Sequence, residues 1–404
     1  MDGDNKHERN SSVYDSNMEE SSSWLSYLFM TYLDGLFKIG NERTLKLSDL
    51  KGIAQQDKSE VLQAKFSAVW DEEMQNNNKK KTLWPLIWRT VGYRNVSIAV
   101  ILFGISAGIQ FGPVLILTKL VKYFTGLEDM SLEMAWMWVC MLFVLPIISS
   151  VTLVHSNIIM AHIAAQVRNL LIGVIYRKTL RLSSASRQLI STGRIVTMFS
   201  ADTNLVKIYL GFFNNFYCAP LQIAACLYLL YQQVGISTLV GISFAFFCMP
   251  VNGLIFANGN AWRRVKMTFT DQRIKIMNEI LSGIRIIKYY GWEEAFMKKI
   301  SLIRETEINI LKRIGYLNMT LLTILLHGAP FIQTVVIFLT YVSLGNQLDA
   351  TTAFTTLTLF GLMNAPVIFI PFGLQQYSQS LIATTRIMVS IVLHTSISLL
   401  IYML

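Results

Sequence analysis

Six long apolar stretches alternate with polar segments along the chain, and none of the six contains Lys, Arg, Asp or Glu. A helix that crosses a bilayer needs about 20 mostly apolar residues. Each stretch is long enough, so the pattern predicts six membrane-spanning helices. They cover roughly residues 96–117, 134–160, 208–231, 235–257, 314–344 and 350–382. A further apolar run, 387–404, is predicted to be a tail, and the pattern does not decide whether this tail spans the membrane.

Two long polar segments, 162–207 and 258–313, separate these stretches and carry most of the positive charge. The first holds seven basic residues and one acid, the second holds twelve basic and six acidic residues, and each therefore has a net charge of +6. Basic loops stay in the cytoplasm, which places both segments and the amino terminus there. Neither segment contains proline. Because structureless loops of this length are uncommon, we expect the membrane helices to continue into the cytosol as long hairpins.

The composition is typical of a multi-pass membrane protein. Of the 404 residues, 53% are hydrophobic and 15% are charged, whereas soluble domains contain about 25% charged residues. A cytosolic enzyme, a disordered chain and a disulfide scaffold are therefore excluded. The two cytoplasmic segments together carry a charge of +12, which acidic residues elsewhere reduce to a net charge of +10, so membrane lipid and not nucleic acid is the predicted partner. The composition does not distinguish the plasma membrane from a vacuolar membrane or another endomembrane.

The polar patterning divides the chain into a disordered segment 1–21, a cytoplasmic arm and linker 22–94, and a membrane domain 95–386. Within the arm, large apolar residues recur at helical spacing. These residues are Trp24, Leu25, Leu28, Phe29, Tyr32, Leu33, Leu36 and Phe37. The spacing predicts an amphipathic helix that lies in the membrane interface. Packing of the same face against the protein's own core is the alternative.

The segment 273–296 has the sequence RIKIMNEILSGIRIIKYYGWEEAF. It resembles the motif R-x-K-x-M-N-E-I-L-x-G-I-x-x-x-K-x-Y-x-W-E-x-x-F of the ABC transporter C subfamily, the multidrug-resistance-associated exporters. Further segments match that family in the same order. They are the arm 23–50, FSAVWDEE at 66–73, TGRIVTMFSAD at 192–202, APLQI at 219–223, PVN at 250–252 and a stretch that ends with TRI at 385–387.

The resemblance implies an all-α membrane protein, namely the six-helix ABC exporter type-1 transmembrane domain with long cytoplasmic helical hairpins. In the family, each hairpin ends in a short coupling helix that docks on a nucleotide-binding domain. By resemblance, residues 191–203 form the first coupling helix and residues 290–296 the second. The residues implied to couple are Thr192, Gly193, Asp202, Tyr290, Trp292, Glu293 and Phe296.

Two features qualify the implied docking surface. Trp292 and Phe296 lie four residues apart, on one helical face, and packing of Trp292 within its own hairpin is the alternative to docking. Arg194 stands where the family pattern has Glu, and Thr197 stands where it has Asn. The first coupling helix therefore departs from the family pattern in charge.

The resemblance also implies the function, which is to form the substrate-translocating part of an ATP-driven exporter that alternates between inward and outward states. The loop that holds ATP phosphates, G-x-x-x-x-G-K-[ST], does not occur in the sequence. We therefore expect no cofactor and no ATPase activity in this chain alone, and ATP and Mg²⁺ only through a nucleotide-binding domain. That domain and a second transmembrane domain are the implied partners. A non-transporting regulatory or receptor-like subunit and a truncated, non-functional fragment are the alternatives.

Polar side chains inside the predicted spans are candidate substrate contacts, and interhelical hydrogen bonding is their alternative role. They are His155, Asn157, Gln222, Asn252, His327, Gln333, Asn364, Gln375 and Gln376. The first span contains no basic residue, so a neutral or amphipathic organic substrate fits the sequence as well as an organic anion does. All four cysteines lie within spans, which predicts neither a disulfide nor a metal site.

Overall fold

The computed structural model describes residues 22–49, 52, 54, 57–75, 82–181, 192–317, 319 and 328–392. The predicted disordered segment 1–21, most of the predicted tail and the candidate His327 lie outside these residues. The described secondary structure is helical and contains no strand, which confirms the predicted all-α class. The helices are α1 (Trp24–Leu28), α2 (Asp34–Glu42), α3 (Ser59–Gln75), α4 (Leu83–Val91), α5 (Tyr93–Ile109), α6 (Gly112–Phe124), α7 (Leu132–Leu180), α8 (Thr192–Thr197), α9 (Thr203–Val234), α10 (Ser237–Ser282), α11 (Ile284–Tyr290), α12 (Glu293–Tyr316), α13 (Ala329–Ser343) and α14 (Ala350–Val392).

Within the described residues, three helical regions are long and apolar enough to cross a membrane: Tyr93–Phe124, α7 and most of α14. The first of them is not the single helix that the apolar run 96–117 predicts, because it breaks between α5 and α6. Pro113 has no N–H group to bond the carbonyl of Ile109, so the helix is interrupted there. The predicted spans 208–231 and 235–257 lie inside α9 and α10. The count of six spans stays a prediction, since residues 320–327 are not described.

Long hairpin helices occur where the proline-free polar segments predict them. Helix α7 contains 49 residues and α10 contains 46, so α7 is about 73 Å long at 1.5 Å per residue. Both helices begin in apolar sequence and continue without a break into the basic segments. Helix α14 extends to Val392, which differs from the predicted boundary at 386. Ile387 and Met388 are 0% and 4% exposed because the helix keeps packing into the core beyond that boundary.

The chain separates into two compact units. The first contains residues up to Tyr123, 128–223 and residues from Pro366 onward, and the second contains 124–127 and 224–365. The core of the first unit is built from α3, α4, α7, α9 and the end of α14, and its buried members include Phe66, Ile87, Leu170, Leu210 and Ile387.

Buried hydroxyl groups bind α5, α7 and α9 together inside the first unit. The hydroxyl of Ser156 donates a hydrogen bond of 2.7 Å to the carbonyl of Ala99. The amide of Asn214 donates to the same hydroxyl at 2.9 Å. Ser106 and Ser149 form a second link between α5 and α7. These small polar residues let the helices approach closely and satisfy one another's hydrogen-bonding groups in apolar surroundings.

The amino-terminal arm is not the single amphipathic helix that its apolar spacing predicts. Met30 has a φ of 58°, a left-handed conformation that ends α1 and separates it from α2. The ring of Tyr27 stacks on His155 with centroids 5.2 Å apart, and His155 Nε2 donates to the carbonyl of Leu28 at 3.1 Å. Trp24 and Phe37 remain exposed. The arm thus packs on α7 through one part and presents other apolar residues outward, and its place in the membrane interface stays a prediction.

In the second unit, α10 and α12 form an antiparallel hairpin, and α13 packs against the apolar part of α10. The side-chain amide of Gln333 on α13 donates to the carbonyl of Gly241 at 3.0 Å. A Cβ atom at Gly241 would overlap with Cδ1 of Ile337. A larger residue at this position would therefore have to displace the side chain of Ile337.

Candidate functional site

The second predicted coupling helix, 290–296, is in fact a corner between two helices. Helix α11 ends at Tyr290, and Gly291 adopts a left-handed φ of 66°. Residues other than glycine adopt this backbone conformation only with strain. Trp292 then precedes the first residue of α12. The prediction of one continuous helix was wrong because it overlooked this turn. The predicted spacing of Trp292 and Phe296 holds, since the N–H of Phe296 bonds the carbonyl of Trp292 at 3.2 Å.

Three aromatic side chains form the exposed surface of this turn, which we call the aromatic corner: Tyr289, Tyr290 and Trp292. They are 91%, 66% and 51% exposed. The rings of Tyr290 and Trp292 stack with centroids 5.1 Å apart. Trp292 therefore packs on its neighbour and not into the interior of the hairpin, and half of its surface is left open. Exposed, preorganised aromatic rings are typical of the residues that dominate protein interfaces.

Charged groups flank the aromatic corner. Lys288 Nζ lies 3.0 Å from Glu293 Oε1 across the turn, and both side chains are exposed. The backbone N–H at the start of α12 and then Lys288 hold the pKa of Glu293 below its ordinary value. An exposed pair of this kind adds little stability, but it presents charge next to the aromatic rings.

A buried carboxylate on α12, further along the hairpin from the aromatic corner, joins α10 to α12. The sequence analysis did not identify it. Glu307 on α12 is 2% exposed. It accepts hydrogen bonds from Thr270 Oγ1 at 2.7 Å, Arg273 Nε at 3.0 Å and Arg304 Nη1 at 2.7 Å. The available signal was its position on the apolar stripe of α12, three and seven residues before the buried Ile310 and Ile314, where a charged residue needs a partner.

The Glu307 cluster predicts a dependence of hairpin stability on pH. The hydrogen bond from Thr270, followed by those from Arg304 and Arg273, lowers the pKa of Glu307 from 4.5 to about 2. Because folding lowers this pKa, the stabilisation is complete above pH 4.5 and is lost as the pH falls toward 2. We expect hydrogen exchange of the α10–α12 amides, corrected for intrinsic rates, to reveal increased opening below about pH 4.5. The variant Glu307→Gln should lack this dependence, and an identical pH response in that variant would contradict the assignment.

The first predicted coupling segment, 191–203, is helical over its described part but not as one regular helix. Helix α8 is followed by a π turn, Met198–Asp202, in which the N–H of Thr203 bonds the carbonyl of Met198. Gly193 and Arg194 are exposed, and the side chain of Thr192 lies outside the described residues.

Asp202 points inward, unlike the rest of the first coupling segment. Its carboxylate is 3% exposed and lies 3.3 Å from Nη1 of Arg386 on α14. The buried carboxylate is thus placed to position the segment, and its implied role in coupling stays a prediction. The pairing joins two motifs that the sequence presented 184 residues apart.

The candidate substrate contacts are distributed over both compact units, and they differ in their local surroundings. His155 bonds the arm, and Gln333 bonds Gly241. Asn157 and Gln375 are exposed, Gln222 and Gln376 are half-buried, and the side chain of Asn252 is not described. His155 and Gln333 therefore have local structural partners, and a role in substrate contact stays a prediction for the whole set. Within the described residues, no three His, Cys, Asp or Glu side chains are grouped as a metal site.

An aromatic cluster in the first unit also escaped the sequence analysis. Tyr209, Phe213 and Tyr217 follow one another at four-residue intervals on α9, with neighbouring ring centroids 6.1 and 4.3 Å apart. Trp84 on α4 and Tyr377 on α14 contact Tyr209 with centroids at 5.4 and 5.5 Å. The four-residue spacing was the signal that could have revealed this cluster.

Comparisons with known proteins agree with this architecture. A family model described as "ABC transporter transmembrane region" matches residues 96–367. The chain is 30% identical over 374 residues to ABC transporter C family member 3 of Dictyostelium discoideum, an alignment that covers 91% of this chain and 26% of that protein. It is 29% identical over 379 residues to ATP-binding cassette sub-family C member 4 of Homo sapiens, which covers 91% and 28%. The chain thus spans about a quarter of the length of these relatives.

Proposed function

From the premise that the chain belongs to the ABC transporter transmembrane region family, we propose that it forms the substrate-translocating part of an ATP-driven exporter of the multidrug-resistance-associated type. Its membrane helices would alternate between inward-open and outward-open states. The energy would come from nucleotide-binding domains that bind ATP and Mg²⁺, and a second transmembrane domain would complete the path. The proposed cargo is a small neutral or amphipathic organic molecule.

The aromatic corner is the observation that carries this proposal. The turn of a long hairpin exposes Tyr289, Tyr290 and Trp292. Hydrogen bonds from α10 to the buried Glu307 hold the two helices of that hairpin together. A docking element that transmits force between domains has to be exposed at its tip and stiff along its length. The corner and the hairpin meet both requirements.

The proposal is tested by assembly and by transport. We expect the purified full chain in detergent to bind a nucleotide-binding domain taken from a C-subfamily relative, in a size-exclusion or biolayer experiment. Reconstituted with that domain and a second transmembrane domain, it should move amphipathic fluorescent substrates in an ATP-dependent manner. Failure to bind under every tested nucleotide condition would contradict the coupling role.

A regulatory subunit without transport is the second candidate function, and Arg194 is the observation that favours it. An exposed cation at a position where the family pattern has an acid reverses the charge offered to a partner. In that case the chain would bind its partner, yet the assembly would lack substrate-stimulated ATP hydrolysis. Co-purification with a channel and the absence of that stimulation would favour regulation over export. Restoration of coupling by Arg194→Glu would support the same conclusion.

A further inference from the structure

The second hairpin carries an uncompensated group of basic residues at one level, which we call the basic cluster. It consists of Arg263, Arg264 and Lys266 on α10, and of Lys312 and Arg313 on α12. Neither 257–270 nor 308–317 contains an acidic residue. The two parts of the cluster lie side by side, because the guanidinium of Arg313 sits 4.3 Å from the ring centre of Trp262.

The predicted spans place the basic cluster at the depth of the lipid headgroups. The predicted spans of this hairpin end at residue 257 and begin again at residue 314, so Arg313 is the last residue before the membrane. Trp262 follows the other span by five residues, or about 7 Å at the rise of a helix. The headgroup region is about 5–7 Å thick on each side of the hydrocarbon core. Tryptophan is itself enriched at this depth.

Three charges of the basic cluster are available to a ligand. Arg263, Arg264 and Lys312 are exposed, and they form no ion pair with any carboxylate in the described part of the chain. Further from the membrane the same hairpin behaves differently, since Arg273 and Arg304 are both paired with Glu307. Carboxylates of the hairpin therefore neutralise basic side chains away from the membrane, but not next to its predicted surface.

A general preference for basic residues on the cytoplasmic side does not account for the cluster. The first hairpin has the same net charge of +6. Yet within ten residues of its predicted spans, 134–160 and 208–231, it carries only Arg168 and Lys207, together with the acid Asp202. The concentration of charge at the membrane surface is a property of the second hairpin.

We propose that the basic cluster binds the headgroups of anionic phospholipids in the cytoplasmic leaflet. The two exposed arginines of α10 suit phosphate, which guanidinium groups grip with two parallel hydrogen bonds. Lys312 adds a point charge from the adjacent helix. This site requires only that the chain is embedded in a membrane, so it does not rest on the proposed coupling to ATP hydrolysis.

The test compares lipid binding by variants of the full chain in neutral detergent micelles. Fluorescent phosphatidylserine and fluorescent phosphatidylcholine are titrated, and the dissociation constants are obtained from anisotropy. We expect phosphatidylserine to bind more tightly than phosphatidylcholine. The double variant Arg263→Gln/Arg264→Gln should weaken phosphatidylserine binding by about 25-fold, because each basic residue near an anionic surface contributes roughly a factor of five. The variant Arg263→Lys/Arg264→Lys should retain most of the binding.

The matched control removes the same charge elsewhere on the hairpin. Lys298 and Lys299 are exposed on α12, about 20 Å along the helix from Lys312. We expect Lys298→Gln/Lys299→Gln to change phosphatidylserine binding less than about twofold, since these residues lie beyond the screening distance of the surface. Equal losses in both double variants, or equal affinity for the two lipids, would overturn the proposal. Complete displacement of phosphatidylserine by inorganic phosphate at constant ionic strength would identify a soluble-phosphate site and would also overturn it.

Discussion

The variant Glu307→Ala is expected to destabilise the α10–α12 hairpin by about 3 kcal/mol, the lower end of what removing one partner from a buried ionic group costs. The lower end applies because Arg304 is 47% exposed and can recover hydration. Arg273 is 27% exposed and, with Thr270, would lose its acceptor. A local effect of this size makes amide exchange in both helices about 150-fold faster.

Two further variants make the Glu307 prediction specific. Glu305 lies on the same helix and is exposed, so Glu305→Ala should leave hairpin exchange within about 0.5 kcal/mol of the parent. Glu307→Gln keeps the size of the side chain and an acceptor for Thr270, and it should fall between the two. Exchange rates in Glu307→Ala that match those in Glu305→Ala would disprove the bracing role of the cluster.

The variant Trp292→Ala is expected to weaken binding of a nucleotide-binding domain by about 2–4 kcal/mol, the range for an aromatic residue at the centre of an interface. This range corresponds to a loss of affinity of roughly 30- to 1000-fold. Truncation removes the ring that stacks on Tyr290 and leaves the backbone turn at Gly291 in place. The measurement is the dissociation constant of the purified complex in detergent, accompanied by circular dichroism to verify helix content.

The control for Trp292 is another exposed hydrophobic residue of the same helix. Leu302 is 61% exposed on α12 and lies away from the aromatic corner. Leu302→Ala should alter the affinity less than about threefold, as expected for a surface change outside the interface. If Trp292→Ala binds as tightly as Leu302→Ala, docking takes place at another surface of the chain.

Sequence periodicity predicted the parts of the fold that depend on hydrophobic pattern and on long stretches without proline. The extension of α7 and α10 beyond the bilayer followed from basic segments without proline, and both helices continue through them. The turns at Met30 and Gly291 were not predicted, because a single residue in a left-handed conformation leaves the apolar spacing on either side intact. The same holds for the break before Gly112, where Pro113 acts within an uninterrupted apolar run.

The candidate site was predictable in outline and not in its interactions. The family motif located Tyr290 and Trp292, both of which are exposed, and their docking role stays a prediction. The partners of Glu307 and Asp202 were beyond prediction, because each carboxylate depends on a residue from another helix. Asp202 looked like a surface residue of the coupling segment, yet it is buried beside Arg386. Pairings between distant helices are set by tertiary packing, which no local pattern encodes.

The π turn Met198–Asp202 has a consequence for how a substitution on α8 affects the helix that follows. A π turn accommodates one extra residue within a helix. The helical positions of α8 are therefore rotated relative to those of α9, which packs into the core. Met198 and Asp202 stay buried within the turn, whereas Arg194 and Val196 face outward on the other side of it. Replacing an outward side chain of α8 should therefore leave the buried face of α9 in place. The outward surface and the buried scaffold can be altered separately by substitution.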